Sequence, residues 1–229
     1  MCMITCIHMA AQKKMTLREM VLEQIQHRAT RPVPYTLSFE EDVVAKRLDQ
    51  HYGDQSWRER LLPYIVTCGK INRRKSEPIN DTLNRDPYGS IWRTDKRPFH
   101  LEEPALKEPS LEGYVFPLVD AFANPQLQET AEQVRQEYPD SFTLINVGWG
   151  LWETYWGIRG FENAMMDCIA EPDFFAEVLE HLTELYLDQI AWFGEIPVDA
   201  LMFGDDWGDQ RGVMIGPERW RRFFKPRYA

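Results

Sequence analysis

From Gln126 to the end of the chain, apolar residues switch between the two-residue spacing of strands and the 3.6-residue spacing of helices. This alternation limits the possible folds more than any other feature. It predicts a helix over Gln126–Tyr138, a buried strand over Phe142–Val147 and a helix over Phe161–Ile169. Pro172 suits the first turn of a long helix reaching about Phe193, where Phe175, Val178, Leu182, Leu185 and Ile190 recur at helical spacing. Val198–Phe203 reads as another strand, and Pro217 opens a last helix that stops near Pro226. Strands alternating with helices predict an α/β protein with a parallel sheet.

The first half is less regular. Thr16 and Glu19 form a capping box ahead of Met20, Val21, Leu22 and Ile25, so a helix is expected to run to about Arg28. Val33–Phe39 reads as a strand, and two helical stretches, Glu41–Tyr52 and Ser56–Ile65, follow. Cys68–Gly113 is polar and rich in Pro and Arg. Within it Asp86-Pro87-Tyr88-Gly89 signals a turn and Ser90–Arg93 a strand. Arg73-Arg74-Lys75 is read as a solvated loop in preference to a phosphate site. Residues 1–14 are expected to be a disordered leader, and 15–229 a single domain.

The formal charge of -10 argues against a nucleic-acid partner, which favours a basic face. No apolar run nears the roughly 20 residues that span a bilayer, and no signal peptide is evident, so a cytoplasmic protein is expected. Cys2, Cys6, Cys68 and Cys168 are scattered and include no CxxC pair, which fits a reducing compartment. Cys2, Cys6 and His8 are assigned to a floppy terminus and not to zinc.

Two segments sit where a parallel α/β barrel places its chemistry, at the C-terminal ends of strands. Gly148–Trp156 follows the strand at Phe142–Val147. It offers glycines for close approach and the side chains Trp149, Glu153 and Tyr155 for a small-molecule substrate, or it is a loop packed on the rim by its aromatics. Phe203–Arg211 follows the second strand. Its adjacent carboxylates Asp205 and Asp206 are the candidate catalytic pair, with Trp207 and Arg211 as substrate contacts. Crowded carboxylates repel, which raises one pKa and suits a proton donor or a metal contact. The alternative is that one of them caps a turn or pairs with Arg211. His100-Leu101-Glu102-Glu103 lacks HExxH spacing and reads as a surface loop, and Arg159 with Glu162 reads as an ion pair or a substrate contact. No metal-ligand set, nucleophile elbow, P-loop or dinucleotide fingerprint is present.

The later segments resemble the uroporphyrinogen decarboxylase superfamily. The resemblance rests on Gly148–Gly160, the helix over Glu171–Phe193, Val198-Asp199-Ala200-Leu201-Met202-Phe203, and Gly216-Pro217-Glu218-Arg219-Trp220-Arg221-Arg222-Phe223-Phe224-Lys225-Pro226-Arg227-Tyr228. Met15–Phe39 fits the family's opening helix and first strand. The resemblance implies a (β/α)₈ TIM-barrel fold. That fold takes about 250 residues, so these 229 are expected to form an incomplete barrel, its N-terminal part only. An open sheet would expose an edge, making a homo-oligomer or a covering partner plausible.

The superfamily is known for decarboxylation of uroporphyrinogen in porphyrin and haem biosynthesis, and for methyl transfer between a corrinoid protein and a thiol with zinc. The decarboxylase branch carries an arginine-rich segment after the first strand that holds substrate carboxylates. Here Thr36-Leu37-Ser38-Phe39-Glu40-Glu41-Asp42 is acidic. The decarboxylase serine is replaced by Asp205 or Asp206, and its tyrosine is matched by Tyr155 or Trp156. Leu48-Asp49-Gln50-His51-Tyr52-Gly53 looks more like the methyltransferase branch. The resemblance therefore implies a methyltransferase-like enzyme that uses a corrinoid protein as partner. Uroporphyrinogen decarboxylase and a non-catalytic interaction module are the alternatives. Zinc is implied for a full-length relative, held by a His-x-Cys motif and a later Cys that this chain does not contain, so no cofactor is expected within these residues.

Overall fold

The computed structural model describes residues 14–37, 42–70 and 77–229. The chain divides into two compact units, Met1–Val66 with Val134–Thr143, and Thr67–Gln133 with Leu144–Ala229.

In the first unit, α1 (Leu17–Ile25) starts at the expected capping box: the Thr16 hydroxyl accepts the Glu19 N–H and the Glu19 carboxylate accepts the Thr16 N–H. Met20 and Val21 are its buried positions. α2 is Asp42–Tyr52. Two predictions fail here. Residues 33–37 pair with no strand, since Pro32 and Pro34 remove two ladder donors, and Phe39 lies outside the described residues. The helix expected over Ser56–Ile65 is a short 3-10 turn, Ser56–Arg60. Pro63 lacks an N–H and pushes Leu62 towards extended geometry, and β1 (Ile65–Lys70) begins two residues later. The expected leader and the Arg73-Arg74-Lys75 loop fall largely or wholly outside the described residues.

In the second unit, the stretch read as mostly loop is a four-stranded antiparallel sheet. Its strands, in order, are β2 (Glu77–Pro78), β3 (Leu83–Arg85), β4 (Ile91–Arg93) and β5 (His100–Glu103). Side-chain acceptors build its turns. Asn80 takes the N–H groups of Thr82 and Leu83, and Asp86 takes those of Tyr88 and Ser90. His100–Glu103 is thus a strand paired to β4, not a loop.

The main sheet has the order β1–β6–β7, with β6 (Phe142–Trp149) and β7 (Ala200–Gly204) parallel. α3 (Leu127–Glu137) precedes β6, and α4 (Leu151–Arg159), α5 (Phe161–Ala170) and α6 (Pro172–Phe193) connect β6 to β7. A small hairpin, β8 (Gly208–Asp209) and β9 (Gly212–Val213), leads to α7 (Pro217–Phe223) and α8 (Lys225–Tyr228). The described residues therefore place three strands in this sheet, where a closed barrel has eight.

α6 buries Phe175, Val178, Leu179 and Leu182 in a core shared with Ile145, Val147, Tyr155 and Ile158. That core also holds an ion pair. Arg159 Nε donates to Asp167 Oδ2 at 2.8 Å, both side chains are almost fully buried, and the Tyr155 hydroxyl donates to the same carboxylate. Arg159 therefore pairs with Asp167, not with Glu162 as the sequence suggested. Asp167, buried in α5, takes two N–H groups of Arg159 and the Tyr155 hydroxyl, whereas Glu162 is exposed to solvent.

Candidate functional site

β6 and β7 run parallel and end side by side, Trp149 opposite Gly204. Their C-terminal ends bring the two predicted segments together. The chain turns at Gly148, with φ of 91°, and α4 begins at Leu151. The segment read as a rim loop is therefore the start of a helix.

A helix start leaves its first N–H groups without partners. Gly150, at the cap position of α4, has no side chain to supply one. The acceptor comes instead from the end of β7. Asp205 Oδ2 accepts the Trp152 N–H at 3.0 Å and Oδ1 accepts the Glu153 N–H at 2.9 Å. The Tyr228 hydroxyl of α8 accepts the Leu151 N–H at 2.9 Å and donates its own proton to Asp205 Oδ2 at 2.9 Å. Trp207 Nε1 donates to that same oxygen at 2.7 Å. Thr154 N–H then closes the first helical turn on the Gly150 carbonyl.

Gly150 is needed for space, not for conformation. A Cβ there would lie 2.5 Å from the Tyr228 hydroxyl and 2.6 Å from Asp205 Cβ and Cγ.

Burial pushes the Asp205 carboxyl above its usual range, while the two backbone N–H groups, Tyr228 and Trp207 pull it down. The positive end of α4 also favours the anion. The Tyr228 hydroxyl is pushed up by burial and then by the Asp205 charge. With four donors on two oxygens, Asp205 is an anchor holding β7, α4 and α8 together.

The other predicted residues are placed as follows. Asp206 is exposed, and its side chain has no partner among the described residues. Trp207 packs edge-on against Trp220 and Tyr228. Trp149 is half-buried against Trp92 and Trp156, and its carbonyl accepts the Tyr186 hydroxyl at 2.6 Å. Glu153 gives its N–H to Asp205, with its side chain at the partly exposed start of α4. Tyr155 points into the core, onto Asp167 and Phe175, away from solvent. Arg211 is exposed in the β8–β9 hairpin and pairs with Asp209 at 2.6 Å, not with Asp205 or Asp206. Asp205, Asp206, Trp149, Glu153 and Trp207 thus gather at one rim, while Tyr155 and Arg211 face elsewhere.

Tyr228 is the residue of this rim that sequence reasoning missed. It stands inside the quoted run Gly216–Tyr228, but nothing local ties it to Asp205. Among the described residues, no three His, Cys, Asp or Glu side chains come together to hold a metal ion. No helix among them is long and apolar enough to cross a membrane.

The sequence model of the family described as uroporphyrinogen decarboxylase (URO-D) matches residues 94–229, more than half of the chain. No curated protein matches the sequence. Among solved structures, the chain is similar to a methyltransferase from Methanosarcina mazei, with a TM-score of 0.62 and 16% identity over 93% of this chain. The chain spans about two thirds of that protein, 65% of its length. At this identity the likeness speaks for the fold, a TIM-barrel α/β architecture, in agreement with the parallel β6–β7 pair.

Proposed function

Because the chain belongs to the uroporphyrinogen decarboxylase family, we propose that it serves the methyltransferase-like chemistry of that superfamily, moving a methyl group between a corrinoid, carried by a partner protein, and a thiol. The observation that carries this reading is the sign of charge at the rim. A substrate with many carboxylates needs free cations to hold it. The end of β7 is followed directly by Asp205 and Asp206, while Arg211 is tied to Asp209 and Arg227 to Glu180. The acidic sequence Thr36–Asp42 points the same way. Indole faces at Trp149 and Trp207 suit a flat, largely uncharged surface.

In the proposed step a thiolate sulfur attacks the methyl carbon. A C–S bond forms as the Co–C bond breaks, the electron pair stays on cobalt, and the thiol proton leaves to solvent. Asp205 contributes by fixing the rim. Asp206, with no partner of its own, is the carboxylate left to meet the substrate in this reading. The described residues do not fit a zinc site, since no ligand set converges among them and both Asp205 oxygens are occupied by donors.

The test offers both family chemistries to the full chain. Methylcob(III)alamin with a simple thiol should yield a methyl thioether, and uroporphyrinogen should pass through unchanged. Formation of coproporphyrinogen would overturn the reading.

A further inference from the structure

A cleft of about 420 Å³ lies within the second compact unit, between β4, β5 and the junction of α4 with α5. Its walls include Trp92, Phe99, Trp156 and Phe161, and its polar edge includes His100 and Glu162. Trp156 meets two of the other rings edge to face. Trp92 meets Trp156 at 5.9 Å and 62°, and Trp156 meets Phe161 at 6.3 Å and 77°. Packing of Trp92 and Trp156 against Trp149 holds these two indoles in place, so the walls are built before any ligand arrives.

Ring faces are negative and attract cations, most strongly indole faces. Glu162 adds a full negative charge at the edge, and its carboxylate has no partner among the described residues. Two positive features oppose it. The N-terminus of α5 contributes about half a charge, and Glu162 sits in the first turn, where it offsets that end. Arg97 lies over Phe99, 5.2 Å from the ring centre, so one ring at the mouth already holds a cation. The remaining walls, Trp92, Trp156 and Phe161, are open to a ligand.

We propose that this cleft is a binding site for a quaternary or otherwise methylated ammonium group, boxed by Trp92, Trp156 and Phe161 and balanced by Glu162. A quaternary ammonium gives up no hydrogen bonds on entering an aromatic box and a partly methylated one gives up fewer than a primary ammonium or a guanidinium. The site is separate from the rim carboxylates and does not depend on the methyl-transfer reading.

The test is a titration of the full chain with tetramethylammonium at constant ionic strength, followed by tryptophan fluorescence. The neutral analogue neopentyl alcohol, with a quaternary carbon in place of the nitrogen, and the anion benzoate serve as controls. Saturable binding in the roughly millimolar range is expected, with neopentyl alcohol at least about tenfold weaker. Glu162→Gln, at an exposed position, should weaken tetramethylammonium about fivefold, and Phe161→Leu should weaken it similarly, with circular dichroism unchanged for both. Equal affinity for neopentyl alcohol would mean that shape alone binds. Tighter binding of benzoate would mean that the helix end dominates. Either result, or no saturation by tetramethylammonium, overturns the proposal.

Discussion

Asp205→Ala removes one carboxylate and strands four donors, and its cost can be worked from the structure. The N–H groups of Trp152 and Glu153 lose the acceptor that caps α4, a loss worth about 1–2 kcal/mol. Trp207 Nε1 and the Tyr228 hydroxyl lose a charged acceptor. Both side chains are partly solvent-exposed, so water replaces part of what is lost, leaving about 1 kcal/mol or less for each. These terms are not additive, and a total of about 3 kcal/mol is expected. Asp205→Asn is milder. Its amide oxygen can take the place of Oδ2 and keep three donors, but its NH₂ then faces the Glu153 N–H. That mismatch should cost about 1–2 kcal/mol. Urea unfolding followed by tryptophan fluorescence reads the difference. With a slope of about 3 kcal/mol per molar, the midpoint should fall by about 1 M for alanine and by about half that for asparagine. A midpoint for Asp205→Ala within about 0.2 M of the parent would refute the account of the rim.

Three further outcomes follow from the same contacts. Gly150→Ala forces a Cβ into Asp205 and Tyr228 and should cost about 1–3 kcal/mol in the same assay, although the backbone angles suit alanine. Arg159→Met leaves Asp167 buried with the Tyr155 hydroxyl as its remaining side-chain partner and should cost about 3–5 kcal/mol, most of it recovered in Arg159→Met/Asp167→Leu. The Tyr155 hydroxyl is held up by burial and then by the Asp167 charge, and Tyr228 by burial and the Asp205 charge. A tyrosine whose folded pKa lies above its unfolded value keeps its stabilising effect below the unfolded pKa, about 10, and loses it as pH rises further. Stability should therefore decline above about pH 10, less steeply in Tyr155→Phe, and absorbance at alkaline pH should show these tyrosines ionising only as the chain unfolds.

The sequence showed the long-range rhythm but not the cross-chain contacts. The helix Pro172–Phe193 was legible to both ends, because proline at its start and five apolar positions at helical spacing leave no other reading. The strand at Phe142 was legible as a short, mostly apolar run. Of the sheet over β2–β5 only β4 was legible, at Ser90–Arg93, since strands of two to four residues are too short to show alternation. Its signal lies in the turn acceptors Asn80 and Asp86. α4 was hidden by the glycines before it and by the lack of a local cap, its acceptor standing 53 residues later at Asp205. The carboxylate pair was rightly located at a strand end, but only geometry separates the two, one saturated with donors and one without a partner.

The account's central claim, that this rim serves methyl transfer with Asp205 as its anchor and Asp206 towards the substrate, is tested most directly by the rate of cob(I)alamin formation from methylcob(III)alamin and thiol, measured for the parent chain and for Asp206→Asn. The account predicts a measurable rate in the parent and a loss of at least about tenfold in the variant, about 1.4 kcal/mol, at an unchanged unfolding midpoint. No methyl transfer by the parent chain, or equal rates for the two, would contradict it.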